Sequence, residues 1–228
     1  TFLMPLYLQN SLGYTAVQAG AVFLPVGIIQ GSMSPLVGFL STKTSPKIPM
    51  IVGIVLLALS FYINSNLSFL SEHDFIMTSL YIRGFAMGII FTPLSTMSLL
   101  TIPREKMAQA SAITNTIRQI AGSIGVAFFT TMLTSRVNFH AQVFGNAIQS
   151  GTPEFKNVIT HLGYHIQSTA GGSMSTALKQ GQSLLFSNIN KQAFIQGIND
   201  DFLIASVITI IALIPTIILR SKKKEEQY

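Results

Sequence analysis

Five stretches of the chain, about 19–41, 48–66, 75–100, 108–134 and 201–220, are predominantly apolar. A bilayer core takes about 20 such residues per helix, so each stretch predicts a transmembrane helix. All five are rich in Gly, Ala and Ser as well as Ile, Leu and Phe, a composition suited to helices packed on other helices rather than to a lone anchor in lipid. Gly84 and Gly88, and Gly122 and Gly125, recur four or three residues apart, which predicts faces where another backbone approaches closely. The first eight residues, Thr1 to Leu8, are already apolar, with no charged leader region or small-residue cleavage site. They read as the end of a helix that begins upstream, not as a signal peptide.

Between the fourth and fifth stretches the pattern changes. Gly151-Thr152-Pro153 and Gly171-Gly172-Ser173 break a long connection, within which Leu178, Leu185, Ile189 and Phe194 keep helical spacing among Gln, Asn, Ser and Lys. An amphipathic hairpin or interfacial helix is expected there, covering the bundle or docking a partner. The predicted organisation is therefore the end of a truncated transmembrane helix (1–8), four transmembrane helices (19–134), a long extracytoplasmic loop with an amphipathic helix (135–200), a last transmembrane helix (201–220) and a cytoplasmic basic tail (221–228).

Charge fixes the expected sidedness, because short cytoplasmic connections retain Lys and Arg. Lys43 and Lys47, Arg104 and Lys106, and Arg220 with Lys222 to Lys224 fall on one side. The other side has an uncharged Gln9–Gln18 segment and a loop with Glu72 and Asp74. This predicts a multi-pass protein of the plasma (inner) membrane with its C-terminus in the cytoplasm. Arg136, Lys156, Lys179 and Lys191 lie in the long loop, whose length exempts it from the charge rule.

Composition agrees. The 228 residues are 49% hydrophobic and 10% charged, against about 25% charge in a soluble domain. The net charge of +6 is scattered through short loops or gathered at the C-terminus, with no aromatic-interleaved basic face, so nucleic acid is not an expected partner. There is no cysteine, and the four histidines are not clustered; no metal site or cofactor is expected. No nucleophile and base are spaced for catalysis, and an enzyme is not predicted.

An ionisable group inside a bilayer is costly and therefore a candidate for function. Arg83 and Arg118 are the two such groups. Asn115, Arg118 and Gln119 fall within one helical turn and share a polar face, which either lines a water-filled path or hydrogen-bonds to neighbouring helices. Gln30, Thr92 and Thr114 are further polar groups at membrane depth, and Phe85, Met87, Phe91 and Met97 are candidates for a soft apolar pocket. Pro25 and Pro93, like Pro35 and Pro215, remove helix hydrogen bonds and predict kinks that serve gating or only bend the helices. With these spans no Asp or Glu lies within the membrane. Asp200 and Asp201 fall at the outer edge of the last helix, where capping of its N-terminus is the expected role.

Several strings carry a family resemblance: Tyr7-Leu8-Gln9-Asn10-Ser11-Leu12-Gly13-Tyr14 leading to Gln18-Ala19-Gly20 and Leu24-Pro25; Ser34-Pro35-Leu36-Val37-Gly38-Phe39-Leu40; and Arg83-Gly84-Phe85-Ala86-Met87-Gly88 with Pro93. Ala110-Ser111, Asn115, Arg118-Gln119 and Gly122-Ser123-Ile124-Gly125-Val126-Ala127 follow, then Lys191-Gln192-Ala193 and Asp201-Phe202. In this order and spacing the chain resembles the C-terminal half of the major facilitator superfamily, specifically the fourteen-span drug:proton antiporters of the EmrB/QacA type. The resemblance implies an all-α, polytopic transmembrane helical bundle, the C-terminal part of that fold, in which residues 1–8 end the ninth helix. It implies proton-coupled multidrug efflux by alternating access, with amphipathic or cationic compounds and protons as cargo. The partners implied are the lipid bilayer, the missing N-terminal half of the same transporter and, in a Gram-negative cell, a periplasmic adaptor and an outer-membrane channel. The proton-binding carboxylate would lie in that N-terminal half. One departure is the loop after Gly38, where Ser41-Thr42-Lys43-Thr44-Ser45-Pro46-Lys47 lacks the acidic residue usual in the family. Uptake or exchange of a physiological solute, or a non-transporting membrane scaffold, are the competing functions.

Overall fold

The computed structural model describes residues 2–43, 45–99, 102–147 and 152–218. Arg220 and the expected basic tail 221–228 lie outside the described residues, as does the side chain of Lys43. Eight α-helices follow one another among the described residues: α1 (Leu3–Asn10), α2 (Ala16–Lys43), α3 (Lys47–Ile63), α4 (His73–Leu99), α5 (Met107–Ala147), α6 (Pro153–Ala170), α7 (Met174–Ile211) and α8 (Leu213–Ile218). No strand occurs among them. Five segments, carried by α2, α3, α4, α5 and the α7–α8 pair, are long and apolar enough to cross a membrane.

Local chemistry sets the helix ends. At the start of α2, Thr15 Oγ1 accepts from the Gln18 N–H (3.2 Å) while Gln18 Oε1 accepts from the Thr15 N–H (2.9 Å), a reciprocal box that satisfies two orphan donors. Before it, Gly13 takes φ 72° to turn the chain out of α1. α6 begins with Thr152 accepting from the Phe155 N–H and Pro153 in the first turn, and it ends at Gly171 with φ 71°. Pro215 has no N–H to offer the Ile211 carbonyl, and α7 gives way to α8 at Ala212. The helices containing Pro25, Pro35 and Pro93 continue through them.

α4 lies between α2 and α3, and α7 packs on α3, α5 and α6. The α2–α4 contact depends on two small residues four apart. A Cβ added at Gly84 would sit 3.0 Å from the Val26 carbonyl oxygen, and one at Gly88 would sit 2.6 Å from Met33 Cβ. The close approach expected at these glycines is therefore present. It is not present at Gly122 and Gly125, where an added Cβ would meet nothing within 4 Å among the described residues.

The tightest core gathers where α1, the start of α4 and the middle of α7 meet, around Met4, Tyr7, Leu80, Ile195, Ile198 and Phe202. The turn after α3 is tied into it. Asn199 Oδ1 accepts from the Leu67 N–H (3.1 Å), and Asn199 Nδ2 donates to the Leu67 carbonyl (2.9 Å). The Tyr7 hydroxyl donates to the Ser68 carbonyl at 2.6 Å. The 135–200 connection is helical through nearly all its described length, comprising the last turns of α5, all of α6 and the first part of α7.

Candidate transport-path site

The two intramembrane arginines lie in different places. Arg83, on α4, is 2% exposed and turned into the bundle, its guanidinium carbon 4.9 Å from the Phe61 ring centroid and 5.4 Å from that of Phe202. Its Nε reaches Ser60 Oγ at 3.4 Å, while Nη1 and Nη2 have no hydrogen-bond partner among the described residues. The cation is held chiefly by two aromatic faces, between α3 and α7. Arg118, on α5, is exposed, with its guanidinium carbon 4.9 Å from the Phe91 ring centroid of α4.

α5 has two contrasting sides in its membrane portion. At about 100° per residue, Ile113, Ile117, Ile120, Ile124 and Phe128 form one exposed stripe. Asn115, Arg118, Gln119, Gly122 and Val126 gather on the opposite side, also exposed. An open groove of about 610 Å³ runs along Gln119, Gly122, Ser123, Val126 and Ala127. The structure thus brings Asn115, Arg118 and Gln119 together on one face and does not bring Arg83 to it.

Phe91 connects this face to a second cleft of about 270 Å³, lined by Gly27, Gln30, Gly31 and Ser34 of α2 with Gly88 and Phe91 of α4. Thr92 and Ser34 share a hydrogen bond of 2.9 Å beside it. Pro93 is buried next to that bond and leaves the Ile89 carbonyl without its helical donor. Pro25 lies farther along α2, half-buried. Phe85 and Phe91 are exposed, and Met87 and Met97 are half-buried. Together α2, α4 and α5 present a fixed cation, amides, hydroxyls and an aromatic ring. Such a set binds by charge, hydrogen bonding and stacking. Among the described residues, no three His, Asp or Glu side chains are placed to hold a metal ion.

Two acidic residues differ from expectation. α7 runs unbroken from Met174 to Ile211, so Asp200 and Asp201 stand in mid-helix and cap nothing. Asp200 Oδ2 lies 2.8 Å from His140 Nε2 and 3.7 Å from Arg136 Nε, a cluster joining α7 to α5 at a partly exposed rim. Asp201 is 0% exposed, and among the described residues neither carboxyl oxygen has a hydrogen-bond partner. The signal for it was present in the spacing: Ala193, Gly197, Asp201 and Ala205 recur every four residues, a stripe of small positions that marks a packing face. Lys47 likewise does more than mark a side, since its Nζ donates to the Ile217 carbonyl (3.3 Å) near the end of α8.

The sequence model of the Major Facilitator Superfamily matches residues 1–126. The chain is 31% identical over 225 residues to the uncharacterized MFS-type transporter YhcA of Bacillus subtilis, covering 99% of this chain and 42% of that protein. It is 29% identical over 213 residues to the multidrug export protein EmrB of Escherichia coli, covering 92% of this chain and 40% of EmrB. With the lincomycin resistance protein LmrB of Bacillus subtilis it shares 38% identity over 133 residues, covering 58% of this chain and 27% of LmrB. The chain spans about two fifths of the length of YhcA and EmrB. Its apolar helices, their glycine-mediated packing and these similarities agree: this is a multi-pass membrane protein, and the chain belongs to the Major Facilitator Superfamily of transporters.

Proposed function

We propose that the chain forms the C-terminal part of a proton-coupled exporter of amphipathic or cationic compounds, working by alternating access against an N-terminal half. The observation that carries this reading is the two-sided α5, with an isoleucine stripe suited to lipid opposite a stripe of Asn115, Arg118, Gln119 and Gly122 suited to a watered path. The names of the relatives EmrB, a multidrug export protein, and LmrB, a lincomycin resistance protein, support export and a drug as cargo. Arg118 would serve as a fixed charge that sets the potential of the path, with Phe91 as a face for apolar or cationic cargo and Pro25 and Pro93 as bending points for gating. Arg83 would brace the bundle that moves as a unit. The protein would reside in the plasma membrane with its C-terminus in the cytoplasm and the α6–α7 hairpin outside. In a Gram-negative cell that hairpin would dock a periplasmic adaptor leading to an outer-membrane channel.

Aqueous accessibility tests the path. The chain has no cysteine, so single cysteines placed in the full-length transporter report cleanly once any upstream cysteines are removed. A membrane-impermeant thiol reagent should label Asn115→Cys and Gln119→Cys, with protection by a bound cationic substrate, and should spare Ile117→Cys and Ile124→Cys. Equal labelling of the two stripes would refute a path along α5.

A further inference from the structure

Two ionisable groups are sealed in the same bundle, the Arg83 guanidinium at 2% exposure and the Asp201 carboxyl at 0%, and among the described residues neither Arg83 Nη1 and Nη2 nor the Asp201 oxygens have a hydrogen-bond partner. Among the described residues they form no ion pair with each other, and the described salt bridges all involve Asp200. Arg83 is accommodated by the Phe61 and Phe202 rings. Asp201 has no such support. Its neighbours one turn away, Gly197 and Ala205, and the adjacent Ile198 are packing positions. An added Cβ at Gly197 would lie 3.2 Å from the Val137 backbone nitrogen and 3.3 Å from Leu133 Cδ1, so this side of α7 is closed by α5.

We propose that Asp201 is a proton-binding site in this half of the transporter, occupied in the conformation seen here. An ionised carboxylate without partners in an apolar interior is far costlier than its neutral acid, and such a group takes up a proton instead. The groups facing it are accounted for. On its own helix, Asp200 is a like charge. From α5, Arg136 and His140 lie 3.7 and 2.8 Å from Asp200 Oδ2; Arg136 bears on Asp201 through its charge, and among the described residues neither side chain is bonded to Asp201. From α4, Arg83 is turned to the aromatic rings. Of the neutral polar groups buried in the bundle, Ser60 donates to the Ser79 carbonyl, Asn64 Oδ1 accepts from the Ser79 hydroxyl and the Tyr7 hydroxyl donates to the Ser68 carbonyl, and among the described residues none is bonded to Asp201. α2 has no Asp, Glu, Arg or His, and its single Lys43 ends the helix. Two neighbouring carboxyls thus occupy opposite environments, one held by Arg136 and His140 at a partly exposed rim and one buried without a hydrogen-bond partner among the described residues. Release of the proton to water requires α5 to move off α7, which makes occupancy depend on conformation.

The proposal deepens the transport reading by placing one proton, and it is tested without transport. Infrared spectra of the full-length protein in lipid nanodiscs at neutral pH should contain a protonated-carboxyl C=O band that is lost in Asp201→Asn and kept in Asp200→Asn. Asp201→Asn, a neutral isostere, should melt within a few degrees of the wild type. An unchanged carboxyl region in Asp201→Asn would overturn the proposal. So would a fall in melting temperature well beyond that range, because the residue would then be an ionised counter-ion of Arg83. Wild-type vesicles that fail to move ethidium under a pH gradient would sink the exporter reading while leaving the infrared result to stand.

Discussion

Asn199 shows how much one side chain can hold in this bundle. It is 8% exposed and satisfies both the N–H and the carbonyl of Leu67, joining α7 to the turn after α3. Asn199→Ala would leave two buried backbone groups unpaired, each worth about 1–3 kcal/mol. The full-length protein should lose roughly 2–4 kcal/mol of stability by denaturant or thermal melts on that basis, whereas Asn66→Ala, whose amide reaches only an exposed hydroxyl, should change little. Arg118 gives the corresponding functional prediction. Arg118→Ala should reduce drug-stimulated turnover at least tenfold with the melting temperature unchanged, because an exposed side chain contributes little to packing, and Arg118→Lys should recover part of the rate by restoring the charge. Sequence alone could not separate Arg118 from Arg83. Both have the same chemistry at membrane depth, and depth does not say which side of a helix faces its neighbours. That depended on Ser60, Phe61 and Phe202 converging on one arginine and on the other being left open.

Among the elements, α2 and α4 depend on a contact that tolerates no added carbon at Gly88, where Met33 Cβ and the Gln30 carbonyl would be 2.6 and 2.9 Å away. Gly88→Val should therefore force the helices apart and cost a few kcal/mol, in the range of overpacked cores. Gly122→Val, on the open face of α5, should leave stability nearly intact and instead impair transport if that face lines the path. Comparing melts with transport for the two variants checks this. The apolar spans were legible because length and hydrophobicity suffice to predict a membrane helix. The junction between the long loop and the last span was not. Gln182, Asn188, Asn190 and Gln196 make the first part of α7 look like a connection, yet the helix continues from Met174 through the acidic pair. A cap was inferred where the chain has a packing face, and the burial of Asp201 was not foreseen. Gly122 and Gly125 failed differently: their spacing predicts a close neighbour, and no described helix supplies one.

At the scale of the whole molecule, the chain packs densely around α1, α4 and α7 and leaves α5 open over most of its membrane length. The glycine and polar stripe of α5 and the cleft between α2 and α4 form the surface on which an exporter of this superfamily would handle its cargo. The helices joined at Arg83, α3, α4 and α7, would move as one body against the N-terminal half. The direct test is ethidium transport by the full-length protein reconstituted into sealed proteoliposomes. The account predicts dye movement against its gradient, opposite to an imposed proton gradient, abolished when an ionophore collapses that gradient and strongly reduced in Arg118→Ala. Dye movement that ignores the proton gradient, or none with any gradient, would contradict it.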